Sequence, residues 1–168
     1  KTAWKSLSAL GLHPAASLDR VRIVTNLKDA LDGAEFIQES APENLGLKQK
    51  LYQELGTLVS EDIVIGSSTS GLTMTEIQAK CPTPQRCIIG HPFNPPYLLP
   101  LVEIVGGDQT DSEAVQWARA FYQIAGKSSL VMKKEIPGFV ATRLQEALWR
   151  EALHMVANGE ASPSDIDN

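Results

Sequence analysis

The sequence predicts an α/β protein: an open sheet with a parallel core, followed by a long helix of different character. Three observations predict it. Short runs rich in β-branched residues alternate with helical patterns, and the connections between them are mostly short. The rhythm then stops at Pro137-Gly138.

Taken in order, KTAWKSLSALGL at the start reads as the tail of a helix. VRIVTN (21–26) and EFIQES (35–40) read as short strands, with NLKDALDGA as a short helix between them. ENLGLKQKLYQELGTLV (43–59) is helical, and Leu47, Leu51, Leu55 and Leu58 are expected to form its apolar stripe. DIVIGS (62–67) is a strand of the buried type. TMTEIQAK (73–80) is a short helix with Thr73 at the N-cap and Glu76 at the capping-box position. RCIIG (86–90) and LVEIV (101–105) are strands. DSEAVQWARAFYQIAG (111–126) is an amphipathic helix closed by Gly126, and SSLVMKK (128–134) is a further strand. FVATRLQEALWREALHMVANG is one long helix, apolar around much of its circumference, and is expected to be covered on two sides. The expected organisation is therefore a first domain over residues 1–136 and the start of a helical domain over 137–168. The chain opens without Met, and it stops just after Ser162 and Ser164, either of which could cap a helix with no room to follow. It reads as a piece of something longer.

Composition narrows the function. An apolar share of 43% and a charged share of 21% over 168 residues suit a soluble globular chain. No apolar run has the length needed to span a bilayer. A net charge of −5 without a Lys/Arg cluster argues against a nucleic-acid or membrane-surface partner. Cys81 and Cys87 suit a reducing cytoplasm, and this pair alone is too few ligands for a metal site.

The chemistry concentrates at strand ends, where open α/β sheets bind ligands. The strand over 35–40 runs into Glu43, the strand over 62–67 into Ser70, and the strand over 86–90 into His91 and Asn94. An imidazole with an ordinary pKa of about 6.5 accepts a hydroxyl proton well only when held in one tautomer. A carboxylate on its other nitrogen does this and stabilises the imidazolium. Glu103 lies inside the apolar run LVEIV, where a lone carboxylate is costly to bury, so His91 is its expected partner. The plain alternative is that His91 caps a strand and Glu103 faces solvent on an edge strand.

SSTSGL, HPFNPPYLLPLVEIV and KEIPGFVATRL, in this order, resemble the L-3-hydroxyacyl-CoA dehydrogenase superfamily. The resemblance covers nearly the whole chain. It implies a Rossmann-like domain whose N-terminal part, with its glycine-rich loop, lies upstream, since no G-x-G-x-x-G occurs here. It also implies NAD as cofactor, a homodimer and a 3-hydroxy acid or 3-hydroxyacyl substrate. By the same resemblance His91 is the general base and Glu103 its partner. Ser70 contacts the substrate oxygen and the nicotinamide region, and Asn94 helps to hold the nicotinamide. Glu43 and Lys48, in PENLGLK, lie along the nicotinamide ribose. Thr142 stands where the family pattern P-G-F-x-x-N-R has Asn, at a substrate-facing position. A single hydroxyl of shorter reach weighs against an acyl-CoA thioester. HPFNPPYLLPLVEIVGG and RLQEALWREALHMVANG are most similar to the branch of the family that oxidises the 3-hydroxyl of L-carnitine. A trimethylammonium group is held by aromatic faces, and Phe93, Tyr97 and Trp149 are the aromatics on offer, core packing being their plainer role. The competing expectations are a 3-hydroxybutyryl-CoA dehydrogenase and, from another class, an NADH-binding structural protein like the related lens crystallins.

Overall fold

The computed structural model describes residues 2–168. Helix α1 (Thr2–Leu10) is followed by α2 (Leu27–Leu31), whose N-cap Asn26 accepts the Lys28 N–H. Strand β1 (Phe36–Glu39) leads into α3 (Leu45–Leu58), capped by the Asn44 side chain. Next come β2 (Val64–Ser67), α4 (Met74–Gln78), β3 (Cys87–Pro92) and β4 (Leu101–Gly106). Helix α5 (Ser112–Ile124), β5 (Ser128–Val131), α6 (Ala141–Ala157) and α7 (Pro163–Asp167) complete the chain.

The five strands pair in sequential order. β1, β2 and β3 are parallel, β4 is antiparallel to β3, and β5 is parallel to β4. Because side chains alternate along a strand, the sheet feeds two cores. Ile65, Cys87, Ile89 and Val105 face Tyr52 and Leu55 of α3 and Met74 and Ile77 of α4. Val64, Ile88, Val102 and Ile104 face Ala114, Ala118 and Tyr122 of α5.

Four sequence expectations need correction. Residues 21–26 form no strand: Ile23 is 90% exposed, and no described strand lies alongside to pair with it. A β-branched run needs a neighbour for its hydrogen bonds and packing. On α3 the buried positions are Lys48, Tyr52, Leu55 and Gly56, while Leu47 is exposed. Leu55 and Leu51 of the expected stripe do pack on the core, whereas a buried ion pair turns Lys48 inward and leaves Leu47 outside. α6 carries no buried residue, and Leu144, Leu148, Trp149 and Leu153 are all exposed, so its expected covering is absent among the described residues. A groove of about 990 Å³ runs between α6 and α7 along Leu148, Trp149 and Leu153. At the end of the chain a helix does form: Ser162 caps α7 in a full capping box with Asp165. The opening helix matches its expectation, with Lys1 outside the described residues.

Candidate active site

β3 and β4 build the centre of the site. They are antiparallel, so β4 begins where β3 ends, and His91 lies directly opposite Glu103 in the register. Both side chains fall on the face of the sheet that carries α3 and α4, two positions on from Ile89 and two before Val105. The twelve-residue interval between them is thus the length of one strand-to-strand return. His91 Nδ1 lies 2.8 Å from Glu103 Oε2. An ionised carboxylate only accepts, so Nδ1 carries the proton and donates, which leaves Nε2 as the ring's acceptor.

Glu103 has no exposed surface. Its second oxygen, Oε1, accepts the backbone N–H groups of Val140 and Ala141, each at 2.9 Å. These are donors at the start of α6, where the helix dipole favours a negative charge. Three hydrogen bonds compensate the carboxylate for its lost water. The His91 ring is 11% exposed and lies between Phe93 and Phe139, with ring centroids at 5.5 and 5.6 Å. Phe139 is fully buried at φ 50, directly after Gly138 at φ 73. Two successive left-handed residues turn the chain sharply enough to bring the start of α6 against Glu103.

Ser70 sits in the loop after β2, and Glu43 holds that loop. Its Oε1 accepts from Thr69 Oγ1 at 2.5 Å and from the Ser70 and Gly71 N–H groups at 3.2 Å each. Burial pushes the Glu43 carboxyl up, but these hydrogen bonds and the Lys48 charge outweigh it and leave its pKa below the ordinary value. Thr142, in the first turn of α6, donates to the Ser70 carbonyl at 3.5 Å. Asn94 is exposed beyond the end of β3, and its side chain makes no hydrogen bond among the described residues.

The structure therefore joins His91 to Glu103, Glu43 to Ser70 and Thr142 to Ser70. Lys48 is held beneath the loop by protein oxygens. Its side chain is 1% exposed, and Glu39 Oε1, Glu39 Oε2 and the Ala41 carbonyl accept its hydrogens at 2.8, 3.0 and 3.1 Å. Of the three aromatics, Phe93 stands beside His91, whereas Trp149 lines the groove between α6 and α7. Among the described residues, neither Tyr97 nor Trp149 makes a ring pair with Phe93, so no three-sided cage is assembled. Sequence reasoning missed Glu39 and Phe139. A charge at the end of an apolar strand, and a bulky residue right after Pro-Gly, were the available signals.

Comparison with known proteins gives the same framework. The family model for the NAD binding domain of 3-hydroxyacyl-CoA dehydrogenase matches residues 4–136, and the model for the C-terminal domain matches residues 138–168. The chain is 55% identical to L-carnitine dehydrogenase of Streptomyces coelicolor, over 99% of this chain and 52% of that protein. It is 50% identical to L-carnitine dehydrogenase of Pseudomonas aeruginosa, over 99% of this chain and 52% of that one. The chain spans about half the length of the curated relatives it matches. Among solved structures it resembles 5-formyl-3-hydroxy-2-methylpyridine 4-carboxylic acid 5-dehydrogenase, with a TM-score of 0.91 and 35% identity over 99% of this chain and 54% of that one. It also resembles 3-hydroxybutyryl-CoA dehydrogenase from Escherichia coli K12, with a TM-score of 0.87 and 28% identity over 96% of this chain and 35% of that one. A sheet of this topology, a paired His91 and Glu103, and two family models meeting just before α6 lead to one conclusion: the chain belongs to the 3-hydroxyacyl-CoA dehydrogenase family.

Proposed function

We propose that this chain forms the catalytic half of an NAD-dependent dehydrogenase that oxidises the 3-hydroxyl of L-carnitine to 3-dehydrocarnitine. The observation that carries the reading is the contact of His91 Nδ1 with the fully buried Glu103, which fixes the tautomer and frees Nε2 to act as a base. The curated L-carnitine dehydrogenases, matched at up to 55% identity, support the substrate.

The residues present suit the nicotinamide end of the cofactor. Ser70 and Asn94 are exposed at the ends of neighbouring strands, the Glu43 carboxyl is 47% exposed beside them, and a side chain at Gly71 would meet nothing within 4 Å. Glu43, Ser70 and Asn94 would hold NAD there. When bound, NAD supplies the hydride acceptor. His91 Nε2 takes the proton of the substrate hydroxyl as hydride leaves C3, and Glu103 stabilises the imidazolium that forms. Ser70 hydrogen-bonds the reacting oxygen, and Thr142 steadies the Ser70 loop from α6. In the reverse direction the imidazolium returns the proton to the forming alkoxide. Phe93, beside His91, is the aromatic face best placed to receive a quaternary ammonium group.

Within this reading residues 1–136 are the NAD-binding and catalytic unit, and residues 137–168 begin a helical domain for substrate closure and dimerisation. The exposed apolar face of α6 supports a homodimer. Two free cysteines suit a reducing cytoplasm. The test is substrate choice by the full-length protein, followed by NADH absorbance. Turnover of L-carnitine in preference to 3-hydroxybutyryl-CoA supports the proposal, and the opposite preference replaces it with an acyl-CoA dehydrogenase. NADH binding without turnover of either would point to a structural protein.

A further inference from the structure

We propose that Gln38 and Tyr122 are positioning residues for His91, holding the Gly90–His91 peptide from the α5 face of the sheet; the inference rests on the function proposed above. Glu103 fixes the imidazole ring from the opposite face, the one that carries α3 and α4. A ring is placed only as well as the backbone beneath it. The register of β2 against β3 ends at the pair Ser67 and Ile89. The Gly90 carbonyl lies one residue beyond, in the planar peptide that leads into His91. It takes a hydrogen bond from a side chain two strands away, where Gln38 Nε2 donates to it at 3.1 Å.

Two glycines make that reach possible. Gln38 stands opposite Gly66 in the register of β1 and β2, so no side chain on β2 blocks its path to β3. A Cβ at Gly66 would stand 3.4 Å from Gln38 Oε1 and 3.1 Å from Phe36 Cζ. At Gly90 a Cβ would overlap the Tyr122 hydroxyl. That hydroxyl takes the place of the missing side chain and donates to Gln38 Oε1. With its oxygen so held, the Gln38 amide turns its NH2 to the Gly90 carbonyl and, at 2.8 Å, to Ser68 Oγ. Tyr122 is the fixed end of this chain. It is 8% exposed, and its ring packs edge-on against Phe36 and Phe121. Burial pushes its phenol well above the ordinary pKa, so it remains a donor at neutral pH. Helix α5 is thereby tied, through one amide, to the backbone that carries the base. Such support matters because a misplacement of about 1 Å at a reacting group can cost roughly a hundredfold in rate.

The experiment uses the full-length protein at saturating L-carnitine and NAD, so that changes in binding do not enter the turnover number. Gln38→Met keeps the length of the side chain and removes its donors and its acceptor. Gln38→Glu keeps an acceptor for Tyr122 but, ionised, has no donor for Gly90. Each variant should lower kcat about fivefold or more, the worth of one hydrogen bond; a smaller fall overturns the inference. The loss should also vanish where His91 is already replaced. His91→Asn with Gln38→Met is expected to turn over within about twofold of His91→Asn alone. A further fall beyond that overturns the inference, because general loosening of the sheet or a lost cofactor contact would act in both backgrounds. Should the Gln38 variants not fold, Tyr122→Phe carries the test, since it keeps the ring and removes only the hydroxyl. It should lower kcat about threefold or more, again only where His91 is present; a smaller fall overturns the inference. If the unaltered protein turns over no 3-hydroxy acid, the function above fails, and the positioning is judged by NMR instead. Exchange of the His91 Nδ1 proton with water then speeds in Gln38→Met if the peptide is held this way, and an unchanged exchange rate overturns the inference.

Discussion

Replacing Glu103 by Gln tests the pairing at the centre of the site with a change of one atom. Glu103 faces two demands at once. Oε2 accepts from His91 Nδ1, and Oε1 accepts from the Val140 and Ala141 N–H groups. An amide has one oxygen and one NH2, so it can meet only one demand. If its oxygen turns to His91, its NH2 faces two buried N–H donors and leaves both unsatisfied, at a cost of about 1–3 kcal/mol each. If its oxygen stays on α6, only the imidazole must respond, by moving its proton from Nδ1 to Nε2. The second arrangement is therefore favoured by about two unsatisfied donors, roughly 2–6 kcal/mol. The variant keeps the start of α6 in place and holds the ring in the tautomer that cannot accept a proton at Nε2. Turnover should fall by about 10²–10⁴-fold, the worth of general acid–base help, while NADH binding, followed by its fluorescence, stays close to that of the unaltered protein. Initial rates by NADH absorbance with L-carnitine are the assay. A Glu103→Gln variant retaining more than about a third of the original kcat contradicts the reasoning.

Two further outcomes follow from the same geometry. A Cβ at Gly107 would stand 2.6 Å from the Thr75 backbone nitrogen and 2.9 Å from the Met74 carbonyl carbon. Gly107→Ala should cost about 1–3 kcal/mol in denaturant unfolding, because backbone atoms of α4 must shift; an unchanged midpoint contradicts this. The Glu43 carboxyl has a depressed pKa in the folded chain, so its contribution to stability is complete above the ordinary value of 4.5 and is lost as pH falls through the lower folded value. Glu43→Gln should flatten the acid limb of the stability profile below that pH and lower kcat, measured by thermal melts across an acid series and by initial rates. An acid limb identical to that of the unaltered protein removes the argument.

The sequence was most legible where local pattern and pairing coincide. β2 and β3 are short β-branched runs buried on both faces, and both formed. The His91 and Glu103 pairing was legible because a carboxylate inside LVEIV has few inexpensive partners, and an antiparallel return supplied one. Residues 21–26 misled because β-propensity expresses itself only beside another strand. Lys48 misled because helical periodicity treats every lysine as a solvated position, whereas Glu39, nine residues earlier, makes burial affordable. Neither the left-handed turn at Gly138 and Phe139 nor the seating of Val140 and Ala141 on Glu103 has a one-dimensional signature beyond Pro-Gly. Both are fixed by contacts between residues more than thirty positions apart.

The central claim is that His91 Nε2 receives the proton released when the substrate alcohol is oxidised. The most direct test is the turnover number of His91→Asn in the full-length protein, with L-carnitine and saturating NAD. The account predicts a fall of about 10²–10⁴-fold with NAD still bound. A turnover number equal to that of the unaltered protein would contradict it.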